Sequence, residues 1–316
     1  MQTEIGTDLN LSAKLLKSGK LVAIPTETVY GLAANGYDSK AVTGIFEAKG
    51  RPHFDPLILH IGDIAQLDSL TLSFPEKAKK LAEVFWPGPL TLILPKSDLV
   101  PDLVSSGLST VGIRMPRHEM TLDLLKSIDF PLAAPSANPF GYISPTSAGH
   151  VMDQLSGKID YILDGGECSV GLESTIVSFP EGEAVILRKG GIPIEDIESV
   201  IGEVAVQTTG SSNPAAPGML VSHYAPRTPL LFGDIKSLMA ENKNRNFAVL
   251  GFSETHGQPG EALSKAGDLR EAAQNLFSSL RRLDTENYEL ILAESMPETG
   301  LGVAINDRLR RAEQRN

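Results

Sequence analysis

Lys49 and Arg51 stand close together in "AKGRPHFDPLILH" (48–60), between a helical pattern and an apolar run. A guanidinium offers a rigid fork to phosphate or carboxylate, and an ammonium offers a mobile point charge, so the pair could grip a triphosphate. The same two cations would also suit a helix C-terminus that Pro52 brings to an end. Arg114 in "VGIRMP" (111–116) and Arg188 in "ILRKGG" (186–191) each close an apolar run, as solvated strand ends also do. In "AIPTETVYGLAANG" (23–36) an apolar run breaks at Pro25 into Thr26, Glu27 and Thr28, then closes on Val29, Tyr30 and Gly31. A core strand has no use for those hydroxyls, whereas a site for a small polar molecule does. Of the two threonines, Thr26 is expected to face a ligand and Thr28 to be structural.

Two further stretches carry side-chain oxygens at turns. Ser136 and Asn138 sit between Pro135 and Pro139 in "AAPSANPFGYISPTSAGH" (133–150), where they could bond a base or ribose or merely cap a polar turn. Ser174 and Thr175 follow a glycine-bearing segment in "DGGECSVGLESTIVSF" (164–179), and its glycines permit close backbone approach. No G-x-x-x-x-G-K-[ST], G-x-G-x-x-G, H-E-x-x-H or G-x-S-x-G string is present, and the histidines show no metal-ligand spacing. A nucleotide would have to be held by another architecture.

The elements that must position these residues are short. LVAI (21–24), LILHI (57–61), LTLIL (90–94), VGIRM (111–115), PLAAP (131–135), YILD (161–164), TIVSF (175–179) and AVILR (184–188) read as strands bounded by Gly, Pro or Asp. Helices are predicted over 39–49, with Asp38 as N-cap and Gly50 as stop, and over 75–85 and 118–127. Their irregular alternation favours an α/β, mixed α+β class. "QTTGSSNPAAPGML" (207–220) carries no charge and reads as a linker. Beyond it FAVLGF (247–252), YELILAE (288–294) and an amphipathic helix at 269–283 form a smaller α/β pattern. The expected division is 1–206, a linker or lid at 207–227, and 228–316.

The chain has 316 residues and a net charge of −11, which argues against nucleic-acid binding through bulk charge. Residues 1–205 hold 16 Lys and Arg against 26 Asp and Glu. Cations at special turns in an acidic body suggest one anionic ligand rather than a polyanion. A single cysteine, Cys168, excludes an intrachain disulfide and a cysteine-paired zinc site. With no secretory pattern at the N-terminus and no membrane-length apolar run, the expected location is cytoplasmic, with no membrane partner.

Read together and in order, "PTETVYGLAANG", "AKGRPHFDPLILH", "WPGPLTLIL" (86–94), "VGIRMP", "PLAAPSANPFGYISPT" (131–146), "GLESTIV" (171–177) and "ILRKGGI" (186–192) resemble the threonylcarbamoyl-AMP synthase family. "APGMLVSHYAP" (216–226) before a second α/β domain resembles its longer branch. The resemblance implies a YrdC-like twisted sheet with helices around a concave, positively lined cavity, plus a smaller Rossmann-like C-terminal domain. It implies a reaction in which L-threonine, bicarbonate and ATP give threonylcarbamoyl-AMP and pyrophosphate, the first step of threonylcarbamoyl-adenosine formation in tRNA. Mg2+ would accompany ATP, through ligands the sequence does not identify, and downstream tRNA threonylcarbamoyl-transferring proteins would take the product.

By the same resemblance, Lys49 and Arg51 are the catalytic cations. Lys49, Arg51, Ser136, Asn138, Ser174 and Arg188 would contact ATP. Thr26, Tyr30, His60 and Arg114 would surround threonine, and His223 and Tyr224 would close over the site as a lid. Two positions depart from the family pattern. Asp55 stands where Asn is expected, so it must turn away from the phosphates or help hold metal. Leu220 replaces a basic residue, which weakens any phosphate role for the linker. Two other functions compete. Double-stranded RNA binding on the same face is disfavoured by the acidic first domain, and direct tRNA binding is left open. A carbamoyltransferase of hydrogenase maturation would need cysteine-paired zinc fingers, which Cys168 alone cannot build.

Overall fold

A computed structural model describes residues 2–207 and 223–314. The predicted linker at 207–227, including Leu220, therefore lies largely outside the described residues, whereas His223 and Tyr224 lie within them.

Eleven strands form the larger sheet: β1 (Glu4–Gly6), β2 (Val22–Ile24), β3 (Gly31–Asn35), β4 (Ile58–His60), β5 (Leu90–Pro95), β6 (Thr110–Arg114), β7 (Leu132–Ala133), β8 (Tyr161–Leu163), β9 (Thr175–Ser178), β10 (Val185–Arg188) and β11 (Ala205–Val206). Their spatial order is β1-β8-β2-β3-β7-β4-β6-β5-β9-β10-β11. Pairing is mixed: β4 runs parallel to β6, while β5 runs antiparallel to β6. Every strand foreseen from 21 to 188 is present, because short apolar runs between turn formers are buried on both faces. Gly31–Asn35 was not foreseen. Its small residues carry no β-branched signal, and the segment becomes a strand by pairing between β2 and β7.

Helices cover the sheet. Ser39–Lys49 begins where the Asp38 carboxylate accepts from the N–H groups of Lys40 and Ala41. It ends at Gly50, whose φ of 62° is left-handed. Its apolar face, Val42, Ile45 and Phe46, joins the principal core with Leu32, Leu59, Leu92 and Ile113. That burial fixes the helix end, and with it the turn carrying Lys49 and Arg51.

The smaller sheet contains β12 (Leu230–Gly233), β13 (Phe247–Gly251), β14 (Gly260–Ala262) and β15 (Leu290–Glu294) in the order β12-β15-β13-β14, with every pairing parallel. The helices Ile235–Glu241 and Leu269–Thr285 carry the chain from β12 to β13 and from β14 to β15, while residues 252–259 join the parallel pair β13 and β14 without a helix. The helix Leu301–Glu313 was not foreseen either. It buries Asn306 and Arg308 among its apolar residues, which blurs the expected period.

The two sheets share a core. Val29, Ile143 and Leu172 pack with Leu276, Phe277 and Leu280 of the long helix. Gly171, at φ 75°, approaches that helix so closely that a Cβ would lie 2.5 Å from Gln274 Cα. Across the same junction Arg281 donates to the carbonyls of Ser144 and Ile143 and to Gln154 Oε1. No helix among the described residues is long and apolar enough to cross a membrane.

Candidate active site

β3, β4, β6 and β10, together with the segment after β7 and the segment before β9, converge on one cavity. Its walls are formed by Thr26, Thr28, Val29 and Gly31, by Arg51, by Ile58, His60 and Arg114, and by Ala134, Pro135 and Ser136. Glu173, Ser174, Arg188, His223 and Tyr224 complete it. Three guanidinium groups thus face one small space.

Each is held by its own device. Arg51 donates through Nε to Asp55 O at 3.2 Å and through a terminal nitrogen to Pro56 O at 2.9 Å. Asp55 is fully buried and its carboxylate lies 2.9 Å from the same guanidinium, although the contact is not aligned as a hydrogen bond. Burial raises the Asp55 pKa, and Arg51, Lys49 and Arg188 draw it back. Asp55 is not part of the cavity wall, so of its two expected placements it takes the one turned away from the phosphate side.

Arg114 pairs with Glu27 at 2.7 Å and donates to Gly88 O at 3.3 Å. In the parallel register His60 of β4 is the partner of Arg114 of β6. Burial, then the positive charge of Arg114, lowers the His60 pKa from 6.5 to about 3, and its Nδ1 has no hydrogen-bond partner. The ring is therefore neutral at pH 7 and presents an unused acceptor or donor. Arg188 is aimed by a break in register between Ile186 and Arg188 on β10, the kind of irregularity that redirects a side chain. It donates to Ser174 O at 3.1 Å and to Ser174 Oγ at 3.0 Å. Thr91 Oγ1 lies 2.7 Å from that same hydroxyl. Burial lowers the pKa of both Arg51 and Arg188, so each guanidinium pays for being out of water. An anion in the cavity would offset that cost.

Thr26, Arg51, His60, Arg114, Ser136, Ser174, Arg188, His223 and Tyr224 are brought together as wall residues. Three other candidates are not. Lys49 Nζ donates to Ser136 O at 2.6 Å and to Asn138 O at 2.5 Å, so it stands behind the wall and fixes the serine loop. Asn138 uses its amide nitrogen on Pro139 O and Tyr142 O, both at 2.8 Å, inside that loop. Tyr30 lies in the core, where its hydroxyl donates to Gly166 O at 2.7 Å and accepts from Gly165 N at 3.1 Å. It is not among the residues that line the cavity.

The distinction between Thr26 and Thr28 also fails. Both line the cavity, and their hydroxyls are 2.8 Å apart. Residues two apart share a face of an extended chain, and here the segment bends further, with Thr26 Oγ1 accepting from the N–H groups of Thr28 and Val29. Glu173 was missed. A lone carboxylate beside Ser174 and two residues beyond a close-approach glycine was the available signal.

His223 and Tyr224 fill much of the site. Their rings meet edge to face at 4.2 Å, and Tyr224 stacks on Phe277 at 5.6 Å. Tyr224 holds φ 65°, an uncommon backbone for a bulky residue. His223 is pushed well below its ordinary pKa by burial and by Arg51, Lys49, Arg188 and Arg308, so it is neutral. About 50 Å³ of free space remains in the cavity.

Among the described residues no group of three or more His, Cys, Asp or Glu could hold a metal ion. The one carboxylate in the wall, Glu173, is bound to Arg308 and to Ser144.

Comparison with known proteins agrees with this architecture. Residues 14–190 match a family described as telomere recombination, and residues 192–313 match the C-terminal domain of threonylcarbamoyl-AMP synthase. The threonylcarbamoyl-AMP synthase of Pyrococcus abyssi is 45% identical over 317 residues, covering 96% of this chain and 93% of its own. That of Bacillus subtilis is also 45% identical, covering 95% and 91%. A crystal structure of the P. abyssi Sua5 protein complexed with L-threonine superposes with a TM-score of 0.93 at 42% identity, over 99% of this chain and 98% of that one. The chain belongs to the threonylcarbamoyl-AMP synthase family.

Proposed function

We propose that the cavity condenses L-threonine, bicarbonate and ATP into threonylcarbamoyl-AMP and pyrophosphate. The observation that carries this reading is the convergence of Arg51, Arg114 and Arg188 with the hydroxyls of Thr26, Thr28, Ser136 and Ser174 on one buried space. Threonine's uncharged amine attacks the carbon of bicarbonate, a C–O bond breaks, and the departing hydroxide leaves as water with the amine's proton, giving an N-carboxylate. One oxygen of that carboxylate then attacks the α-phosphorus of ATP, and the bond to the β-phosphate oxygen breaks to release pyrophosphate. Anion attacks anion, so the protein must position both and neutralise charge. No covalent nucleophile is needed. Cys168 is buried and its thiol pKa is raised by burial, which suits a structural residue.

In this reading Arg51, Arg188, Ser136 and Ser174 hold the triphosphate. Thr26, Thr28, His60 and Arg114 hold threonine and its carboxylated amine. Lys49 acts behind them, by fixing the Ser136 loop. Mg2+ would enter on the ATP phosphates, since the wall supplies no carboxylate set of its own. Drug-sized and cofactor ligands occupy sites of roughly 300–1,000 Å³. His223 and Tyr224 must therefore leave the cavity before ATP enters, which makes them a lid that also excludes water from a labile carbamate. The proposal includes domain limits at 1–206 and 228–316, a cytoplasmic setting, and delivery of the adenylate to tRNA-modifying proteins.

The test is incubation with ATP, magnesium, L-threonine and bicarbonate, with each omitted in turn, and mass spectrometry for the adenylate and pyrophosphate. Product that requires all three substrates and is lost in Arg51→Ala supports the reading. Untouched ATP together with salt-dependent tRNA binding would replace it with an RNA-binding function.

A further inference from the structure

Arg308 lies on the C-terminal helix Leu301–Glu313, in the domain for which the sequence offered no role. It is 1% exposed and is the largest fully buried side chain among the described residues. A guanidinium taken out of water is tolerated only when its donors are used. Those of Arg308 reach across the domain junction. Its Nε donates to Glu173 Oε2 at 2.8 Å, and a terminal nitrogen donates to Lys189 O at 2.9 Å. The other terminal nitrogen lies 2.9 Å from Asp307 Oδ2, and the group sits 5.1 Å from the centre of the Tyr224 ring.

These contacts fall on the catalytic wall at three places. Glu173 precedes Ser174, Lys189 follows Arg188, and Tyr224 belongs to the lid. The second oxygen of Glu173 accepts from Ser144 Oγ at 2.6 Å, so both of its oxygens are engaged. Arg188 lines the same cavity as Glu173, and its positive charge also acts on this carboxylate. The two segments approach closely: a Cβ at Gly190, two residues past Arg188, would come within 2.4 Å of Glu173 O.

We infer that Arg308 is a positioning residue for the catalytic cavity: its fork holds Glu173 away from Arg188, whose charge is thereby directed to the anionic substrate. The C-terminal domain thus takes part in ATP binding without touching ATP. The inference rests on the reading that Arg188 contacts the triphosphate. Without Arg308, Glu173 would turn to Arg188 and the site would lose one effective positive charge.

The experiment varies ATP in the adenylate-forming assay on the full chain. Loss of a charge-assisted contact should raise the KM for ATP about tenfold or more in Arg308→Ala, with kcat changed far less. The KM for threonine should move little. Adding Glu173→Gln to that variant removes the competing charge and should recover most of the ATP KM. Wild-type ATP KM in a folded Arg308→Ala protein overturns the inference, and so does a double variant no better than the single one. Should Arg308→Ala fail to fold by thermal melting, Arg308→Lys keeps the charge and loses the fork. The same pair of measurements then decides, with Glu173→Gln as the rescue. A wild-type protein that makes no adenylate would sink the functional reading instead. ATP affinity by calorimetry across the same variants would still judge Arg308.

Discussion

Arg51 and Asp55 form an ion pair of 2.9 Å in which both side chains are almost wholly withdrawn from solvent. Arg51 lines the cavity and Asp55 stands behind it, so under the proposed function the carboxylate weakens the field that Arg51 offers to a phosphate. Replacing Asp55 by Asn removes that charge and keeps the shape. ATP should bind several-fold tighter, while the ligand-free protein should lose about 3 kcal/mol as Arg51 is left buried without its partner. Steady-state KM for ATP and thermal melts with and without ATP check both halves. An unchanged KM would mean that Arg51 does not face the triphosphate.

Arg188 meets Ser174 through two nitrogens, one to the backbone carbonyl and one to the hydroxyl. Lysine has the charge but not the fork. Arg188→Lys should therefore lower kcat/KM for ATP by about 10²-fold, and Arg188→Ala by more. A lysine variant with near-native kinetics would show that charge alone suffices there.

His60 makes stability depend on pH in a defined direction. Its pKa falls from 6.5 to about 3 on folding, so below 6.5 the unfolded chain binds the proton first. The stability contributed by keeping this ring neutral is complete above pH 6.5 and is lost progressively as pH falls towards 3. Each such group contributes a slope of roughly 1 kcal/mol per pH unit in that window. His60→Gln should flatten urea-derived stability between pH 6 and 4 by about that amount relative to wild type. Parallel curves would place the acid sensitivity elsewhere, for instance at His150, whose pKa burial lowers to about 4.

Gly171 needs both its backbone and its missing side chain. Alanine there meets Gln274 Cα and the Ala273 carbonyl, and it must also adopt a φ of 75°. Gly171→Ala should cost about 2–4 kcal/mol and loosen the contact between the two sheets. Hydrogen exchange should then quicken along 269–285. If protection there is unchanged, the close approach is not what joins the domains.

What the sequence disclosed depended on how local the cause was. The helix over Ser39–Lys49 was legible because its cap, its apolar stripe and its stop lie within one short stretch. Wall residues such as Arg51 and Arg188 were legible because polar types interrupt apolar runs at turns. Nothing local shows that the Tyr30 hydroxyl bonds Gly165 and Gly166, far along the chain. Nor does anything local show that carbonyls of the 136–142 loop occupy Lys49 and Asn138. Arg308 was invisible: an arginine on a helix ordinarily faces water, and only the packing of a second domain puts it inside.

The position of β1 has a consequence for how the protein is made. This strand is synthesised well before its partner β8, and the Thr3 hydroxyl bonds the carbonyl of Ile159, 156 positions away. At about 5–20 residues per second the nascent N-terminus waits on the order of ten to thirty seconds for that partner. Through that interval the helix Leu9–Lys17 has β2 and β3 beside it but lacks the cover that Leu124, Leu125 and Leu163 later supply, so part of its apolar face is open to holding chaperones.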